Sequence, residues 1–433
     1  MTGDARYLEA DRAQLCWDLV DLDGQLAADH RARVVWAFVE GLDLSRLYDR
    51  IRAREGEPGR PPPDPKILLA LWLFATLEGV GSARQLDRLC TRDVAYRWLC
   101  GSVPMNYHGL SDFRCGHGEV LDQLLTQSLT ALLAEGLVKP QEIAMDGTKV
   151  RASAGRGSFR RRSTLSQLKG LAEERVRRLK AEVENDAAAS EKRRQAARQR
   201  GAEERARRVE AALKAAEKLS AEKAEREKTH KKAEEKKGEV RASTTDPEAR
   251  LMRFADGAVR PGYNVQLAVD PSSGIILGTD VTDRRNDAGQ AGPMAEQVKE
   301  RLGAQPERVL CDTTYVTQDE IIAFAEQGTD VYSPVPPDKA NVRPETIRRR
   351  EKEREREPAA LKAWRNRMTD AASALTYRRR LSIETVNGTV KARGLAILRV
   401  RSKAKARCVV LFQALAHNLW RAHGLRTAQA CAA

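Results

Sequence analysis

The chain has 433 residues, and its 76 Lys and Arg against 61 Asp and Glu give a formal net charge of +15 at pH 7. This length permits two or three domains. The basic balance indicates a polyanionic partner, with nucleic acid the first candidate and a generally basic soluble protein the alternative. The cysteines show no Cys-x-x-Cys spacing, so neither a zinc site nor a disulfide framework is indicated. There is no signal peptide and no apolar run near the ~18 residues of a membrane span, so we expect a cytoplasmic protein without a membrane partner.

The first third of the sequence, residues 1–140, is predicted to be helical. The run from Ile67 to Leu77 is strongly apolar at near-helical spacing and follows a proline-rich break that suits a helix start, so it predicts a core helix. Ser82 is a favourable N-cap for the helix that follows. Several short helices with exposed arginines favour a helix-turn-helix DNA reader, and a small helical bundle with ordinary surface arginines is the alternative.

The composition changes sharply from about Phe159 to Gly238, where Ala, Glu, Lys and Arg dominate and proline is absent. These residues form helices readily and recur as opposite charges four apart, so this insertion is predicted to be a long exposed helix or a helical hairpin. Gly201 is the first candidate for the tip of the hairpin, and Asn185-Asp186 is the second. Its role is left open between a solvated spacer, dimerisation and DNA contact.

Short apolar segments on both sides of the insertion alternate with helical patterns, as in a mixed sheet flanked by helices. A charged connection at 337–376, predicted to be helical around Thr346–Trp364, contains no obvious strand. The predicted strands are 142–154, 260–270, 275–281, 308–312 and 330–335, and the predicted helices are 287–302, 318–327 and 411–420.

Four polar residues near the end of the chain share one face if residues 377–391 form a single helix. At about 100° per residue, the side chains of Tyr377, Arg380, Glu384 and Lys391 project within an arc of roughly 60°. A set of buried-type residues falls on a different arc: Ile383, Val386 and Val390. A carboxylate among cations and a phenol suits a metal ion and a phosphate.

The Asn-Gly pair at 387–388 favours a different structure for the same segment. Flanked by β-branched residues, it is also a hairpin signal, and Gly388 inside a helix costs on the order of 1 kcal/mol. Local propensity alone therefore leaves strand and helix at least even. The clean separation of polar and apolar arcs decides for the helix.

This Tyr-x₂-Arg-x₃-Glu-x₆-Lys pattern resembles the signature helix of bacterial insertion-sequence DDE transposases. Two further carboxylates follow the family's order, because Asp146 lies in Ile-Ala-Met-Asp-Gly-Thr and Asp312 in Val-Leu-Cys-Asp-Thr-Thr. The family holds its two catalytic aspartates at such short apolar strands. The resemblance covers about residues 30–420, and the helical insertion after the first aspartate is similar to that of the insertion-sequence 1182 group.

The resemblance implies an α/β fold with a ribonuclease-H-like mixed sheet and flanking helices, an N-terminal all-helical domain and a coiled-coil-like insertion. The expected domains follow the chain in order: 1–140 helical and DNA-binding, 141–158 with 245–424 catalytic, 159–244 the helical hairpin, and 425–433 a tail.

The resemblance also implies the chemistry of a DNA transposase, which cleaves DNA at terminal inverted repeats and transfers the strands. Asp146, Asp312 and Glu384 would be the catalytic metal ligands for Mg²⁺ or Mn²⁺, with two ions expected. Tyr377, Arg380 and Lys391 would contact the DNA backbone at the cleaved bond. The expected partners are double-stranded DNA at the element ends and the target and a second copy of the chain, in a bacterial nucleoid.

One departure and two rival functions remain at this stage. Where relatives carry a glycine and a tyrosine after the second aspartate, this chain has Thr313-Thr314-Tyr315, which puts the local backbone geometry in doubt. The rival functions are a DNA-binding or architectural protein derived from an inactive transposase, and an RNA-processing nuclease of the same fold.

Overall fold

The helices in the first third of the chain begin at residues whose side chains cap them. The structure, a computed structural model, describes residues 21–51, 53, 61–184, 189–229, 239–336 and 352–432. Asp64 accepts the Lys66 N–H at the start of a helix with Pro65 in its first turn, and Ser82 accepts the Gln85 N–H, which confirms the predicted N-cap. The helices here are α1 Arg31–Glu40, α2 Ser45–Tyr48, α3 Pro65–Leu77, α4 Ala83–Arg92, α5 Val94–Cys100, α6 Tyr107–Gly116 and α7 Gly118–Ala134.

The main sheet is mixed, with β1 (Glu142–Arg151) at its centre. β1 pairs antiparallel with β5 (Val259–Val269) and parallel with β7 (Arg308–Leu310). On the outer sides, β5 pairs antiparallel with β6 (Ile276–Thr282), and β7 pairs parallel with β8 (Asp330–Tyr332). This mixed order is consistent with a ribonuclease-H-like fold. The strands are β1 Glu142–Arg151, β2 Phe159–Arg161, β3 Arg241–Ser243, β4 Arg250–Arg253, β5 Val259–Val269, β6 Ile276–Thr282, β7 Arg308–Leu310 and β8 Asp330–Tyr332.

Three short strands were not predicted from the sequence, and several predicted elements are longer than those in the structure. β2 pairs with β3 in a separate two-stranded sheet, and β4 extends the main sheet beside β5. β8 ends at Tyr332, two residues before Pro334, which has no N–H for a strand ladder. The helix α10 starts at Ala291 and not at 287, because a loop with Gly289 at φ +75° precedes it.

The insertion forms two antiparallel helices, α8 Arg162–Glu184 and α9 Ala189–Thr229. Ion pairs join them at both ends, between Arg162 and Glu217 (3.6 Å) and between Lys180 and Glu203 (3.9 Å). Gly201 lies inside α9, so the prediction of a hairpin tip there was wrong. Strong helix formers on both sides carry the helix through this glycine. The second candidate, Asn185-Asp186, falls between the two helices and outside the described residues.

The last helix, α15 Lys403–Ala432, joins the N-terminal helices to the sheet. It packs against α3, α6 and α7 on one side and β6 on the other, and its Phe412 ring lies 6.4 Å from that of Trp72. The predicted helix at 411–420 is therefore the middle of a longer one. One continuous apolar core runs from the N-terminal helices into the sheet.

Between β7 and α15 most of the described residues are helical. The expected helix around Thr346–Trp364 falls partly on residues 337–351, which lie outside the described chain, and its second half is broken at Pro358. The elements here are α11 Gln318–Glu326, α12 Ala359–Arg367, α13 Ala371–Arg378, α14 Leu381–Val390 and the π-helical turn Lys391–Leu395; the helix between β6 and β7 is α10 Ala291–Leu302.

The most apolar helix is α3, in which 12 of 13 residues are buried. At 1.5 Å per residue it is about 20 Å long, short of the ~30 Å of a hydrocarbon core. In the described ranges, no helix is both long and apolar enough to span a membrane.

Candidate active site

The segment that carries the four signature residues is helical, but it is not one helix. α13 ends at Arg378 and α14 begins at Leu381. At the junction, the Arg380 N–H donates to the Tyr377 carbonyl and the Ile383 N–H to the Arg380 carbonyl, a three-residue spacing that tightens the turn. The prediction that Tyr377, Arg380, Glu384 and Lys391 share one face of a single helix is therefore wrong. The tightened turn changes the angle between the side chains before it and those after it.

Glu384 lies on a helix and not on a hairpin, as predicted. Ile383, Val386 and Val390 are all buried, so the apolar arc faces the core. Gly388 is exposed within the helix, with open space where a Cβ would lie. Burial of the apolar face thus outweighs the hairpin preference of the Asn-Gly pair.

Three of the four signature side chains meet. The Arg380 guanidinium donates to Glu384 Oε1 at 2.8 Å and lies 5.7 Å from the centre of the Tyr377 ring. Burial raises the pKa of Tyr377, and Arg380 opposes that shift. Lys391 stands apart at the start of the π-helical turn, and it takes part in no ion pair among the residues that the structure describes.

Asp146 is a largely buried carboxylate in the middle of the sheet. Its Oδ1 accepts the Gly147 N–H at 3.0 Å, and its Oδ2 accepts the side-chain N–H of Asn387 on α14 at 2.9 Å. Burial raises the pKa of Asp146 to about 6; Arg380 opposes the shift, while the charges of Asp287 and Asp312 add to it. The positive charge of Arg380 therefore does not offset the combined effect of burial and the two neighbouring carboxylates on Asp146.

Asp312 lies beside Asp146 because of the strand register. Ala144 of β1 pairs with Leu310 of β7 in a parallel ladder, and each aspartate follows its paired residue by two positions. Asp312 is exposed, and its Oδ1 accepts the N–H of Thr313 at 2.8 Å. Its charge disfavours the ionised forms of both Asp146 and Tyr377.

The three predicted carboxylates do not form a closed chelate. Across the described residues, no group of three or more His, Cys, Asp or Glu side chains is close enough to hold a metal ion. Each carboxylate instead accepts a hydrogen bond from a separate donor: Asp146 from Asn387, Asp312 from the N–H of Thr313, and Glu384 from Arg380. Mutual repulsion of like charges favours this spread arrangement.

The donor chemistry of the region nevertheless fits a hard cation. Asp146 and Asp312 supply carboxylate oxygens, which Mg²⁺ prefers. The buried Oδ1 of Asn387, whose amide N–H binds Asp146, has no hydrogen-bond partner among the described residues. A bound ion with its water shell would satisfy such an acceptor. It would also stabilise the ionised form of Asp146, which burial and, after it, the neighbouring negative charges disfavour.

The turn after Asp312 needs no glycine. The Tyr315 N–H donates to the Asp312 carbonyl, and Thr313 and Thr314 are absent from the residues with positive φ. Tyr315 is 1% exposed, and burial raises the pKa of its hydroxyl far above the usual value. The two threonines therefore fit the local backbone.

Sequence reasoning missed Asn387 and Asp287 as parts of this region. Asn387 falls on the buried arc of α14, where a polar residue is unusual. The Asn-Gly pair itself indicates only a hairpin turn and gives no sign of the contact with Asp146. Asp287 accepts hydrogen bonds from Asn264 (2.6 Å) and Gln266 (2.9 Å), two polar residues on the buried part of strand β5. Polar residues in a predicted buried strand were the available signal.

A second cationic feature lies on the N-terminal helices. Arg84, Arg88 and Arg92 repeat every four residues along α4, so they share one face, and all three are exposed. Leu86 and Cys90 are buried on the opposite face. None of the three arginines forms an ion pair within the described chain.

Comparisons with known protein families agree with this geometry. Residues 139–419 match the family described as Transposase DDE domain, and residues 20–115 match the family described as Transposase domain (DUF772). The first match covers more than half of the chain and contains both aspartates and the whole signature segment. Searches of curated proteins and of solved structures gave no match.

Proposed function

The chain belongs to the family of DDE-type insertion-sequence transposases, and from this premise we propose its specific reaction. It binds the terminal inverted repeats of its own element, cleaves the DNA at their ends and joins those ends to target DNA with divalent metal ions. The observation that carries the proposal is the half-buried carboxylate of Asp146, whose pKa is raised by burial, which a hydrogen bond ties to the helix of Glu384 and which lies beside Asp312.

In this proposal, Asp146, Asp312 and Glu384 would hold Mg²⁺ or Mn²⁺, with two ions expected. Such ions, when bound, stabilise charge on the attacking and leaving oxygens of the phosphodiester. Asn387 fixes the Asp146 carboxylate from the side of α14. Glu384, which pairs with Arg380 in the structure, would supply its carboxylate oxygens to such an ion.

Arg380 would contact the DNA backbone. Its guanidinium fork matches a phosphate bidentately, whereas Lys391 acts as a point charge. Tyr377 packs against the guanidinium (5.7 Å) and orients it toward the backbone beside the cleaved bond. Arg380 would thereby change its partner from the Glu384 carboxylate to a DNA phosphate.

Two element ends must be brought together, so a homodimer on DNA is expected, in the bacterial cytoplasm at the nucleoid. The helical insertion after the first aspartate resembles that of the insertion-sequence 1182 group. The rival function, a DNA-binding or architectural protein derived from an inactive transposase, would retain DNA binding without the metal-dependent step.

An excision assay tests the proposal against this rival. A plasmid carrying a marker between the inverted repeats that border the gene is incubated with the protein and Mg²⁺. We expect cleavage at both repeats, none with EDTA, and none on a plasmid with scrambled repeats. Binding to the repeats without cleavage at any Mg²⁺ concentration would favour the architectural protein.

The arginine face of α4 is proposed to contact DNA phosphates. Arg88→Ala should weaken binding about equally to repeat and non-specific DNA, and it should lower the slope of log affinity against log salt by about 1, because one phosphate contact is lost. Fluorescence anisotropy over a salt series measures this slope. Arg46→Ala, which removes another exposed arginine in the same helical region on α2, is the control. An unchanged slope for Arg88→Ala would remove this face from the DNA interface.

A further inference from the structure

Asp287 is held rigidly behind the strand that carries Asp146. Its Oδ1 accepts from the amide groups of Asn264 and Gln266, at 2.6 and 2.9 Å. Both donors are fully buried on the same face of β5, and the amide oxygens of both have no partner among the described residues. Leaving these buried oxygens without partners costs stability. Since the only hydrogen bonds of the two side-chain amide groups within the described chain go to Asp287, those bonds set how the Asp287 carboxylate is oriented.

The carboxylate presses directly on the backbone next to Asp146. A Cβ at Gly147 would lie 1.8 Å from Asp287 Oδ1 and 2.8 Å from Gln266 Nε2, so only glycine allows this approach. In the sheet register Gly147 is paired with Gln266, and Asp146 is paired with Leu267. Successive residues of a strand face opposite sides. Asp287 therefore contacts the strand on the face opposite to the Asp146 side chain.

We propose that Asp287 is a positioning residue for the divalent-ion site, and this inference rests on the proposed function. Its fixed negative charge behind β1 increases the cation affinity of the face that carries Asp146. Its contact with Gly147 sets the backbone from which the Asp146 carboxylate projects. Asp287 itself does not coordinate the ion, because the strand lies between them.

Charge and shape can be separated by one substitution. Asp287→Asn keeps the size of the side chain, and its amide oxygen still accepts from Asn264 and Gln266, but the charge is lost. Outer groups of this kind change metal affinity by about 10- to 100-fold when they are removed. A purely structural role would leave the affinity unchanged, because the hydrogen bonds remain.

The test is a titration of the full chain, bound to uncleaved repeat DNA, with Mn²⁺. The electron paramagnetic resonance signal of free Mn²⁺ measures how much of the ion is bound at each step. We expect Asp287→Asn to weaken Mn²⁺ binding about 10- to 100-fold. The Mg²⁺ concentration for half-maximal cleavage should rise by the same factor, with the rate at saturating Mg²⁺ largely restored. The matched control is Asp280→Asn, which removes a carboxylate one strand further away, at the position paired with Gln266.

The outcomes separate this inference from the proposed function. Equal Mn²⁺ affinity in the wild type and Asp287→Asn would overturn the role of Asp287, provided that Asp146→Asn weakens binding. No Mn²⁺ binding by the wild type would overturn both. If circular dichroism shows that neither Asp287→Asn nor the smaller Asp287→Ser folds, Asp287 serves the fold alone, and the inference is likewise overturned.

Discussion

Asp146→Asn is expected to reduce Mg²⁺-dependent cleavage of repeat DNA roughly 1,000-fold, while DNA binding stays nearly intact. Loss of a ligand that stabilises charge in the transition state costs about 4 kcal/mol, and each 1.36 kcal/mol is tenfold in rate. The asparagine oxygen can still accept from Asn387, so the hydrogen bond between β1 and α14 is kept. Single-turnover cleavage at saturating protein measures the chemical step.

The same substitution is expected to stabilise the protein in the absence of metal. Burial raises the pKa of Asp146 from 3.8 to about 6. A carboxyl group with a raised pKa contributes stability below pH 3.8, and that contribution is lost as the pH rises through 6. At pH 7.5 a neutral residue should therefore be more stable by on the order of 1–3 kcal/mol. Denaturant unfolding in EDTA measures the difference.

The combination of the two effects identifies a functional carboxylate. Asp246→Asn is the control, because Asp246 is also buried but accepts from the Tyr263 hydroxyl (2.8 Å), away from the signature helix. Burial also raises the pKa of Asp246, so we expect this change to stabilise the metal-free protein as well, but to leave the cleavage rate per folded molecule unchanged. Wild-type cleavage by Asp146→Asn would exclude Asp146 from the active site.

Gly147→Ala is expected to impair both folding and cleavage. The added methyl group would lie 1.8 Å from Asp287 Oδ1, which two buried amides hold in place, so the strand or the 287 loop must move. Overpacking of this kind costs about 1–3 kcal/mol. Because the displaced backbone adjoins Asp146, we also expect cleavage to fall about 100-fold even for folded protein, as misplacement by about 1 Å does elsewhere. Thermal unfolding and single-turnover cleavage measure the two effects.

Gly388→Ala is the matched control for Gly147→Ala. This glycine is exposed within α14 with no atom near the position of an added Cβ. Alanine there should stabilise the helix by about 0.5–1 kcal/mol, because it lowers the entropy cost of folding. A Gly147→Ala protein with wild-type stability and cleavage would show that the Asp287 contact does not constrain the strand.

The sequence predicted the features that depend on periodicity and on strongly apolar segments. The core helix at 67–77, the cap at Ser82 and the buried face of α14 at Ile383, Val386 and Val390 were all confirmed. These features follow from local spacing and from burial of one face, both of which a single sequence records. The family match likewise agrees with the resemblance drawn from the signature residues.

Features that depend on contacts between distant segments were not predicted. The hydrogen bond from Asn387 to Asp146 spans 241 residues, and the contact of Asp287 with Gly147 links a loop to a strand on the far side of the insertion. The tightened turn at Arg380 depends on hydrogen bonds that residue spacing does not encode. The prediction of a hairpin tip at Gly201 was wrong because a helix composed of strong helix formers tolerates one glycine.

The most direct test is the position of Mn²⁺ in a crystal of the protein bound to its repeat DNA, located by anomalous scattering. We expect manganese in direct contact with carboxylate oxygens of Asp146, Asp312 and Glu384, with Arg380 turned from Glu384 to a phosphate. Manganese bound elsewhere, with Glu384 still paired to Arg380 beside an engaged DNA end, would contradict the shared role of the three carboxylates.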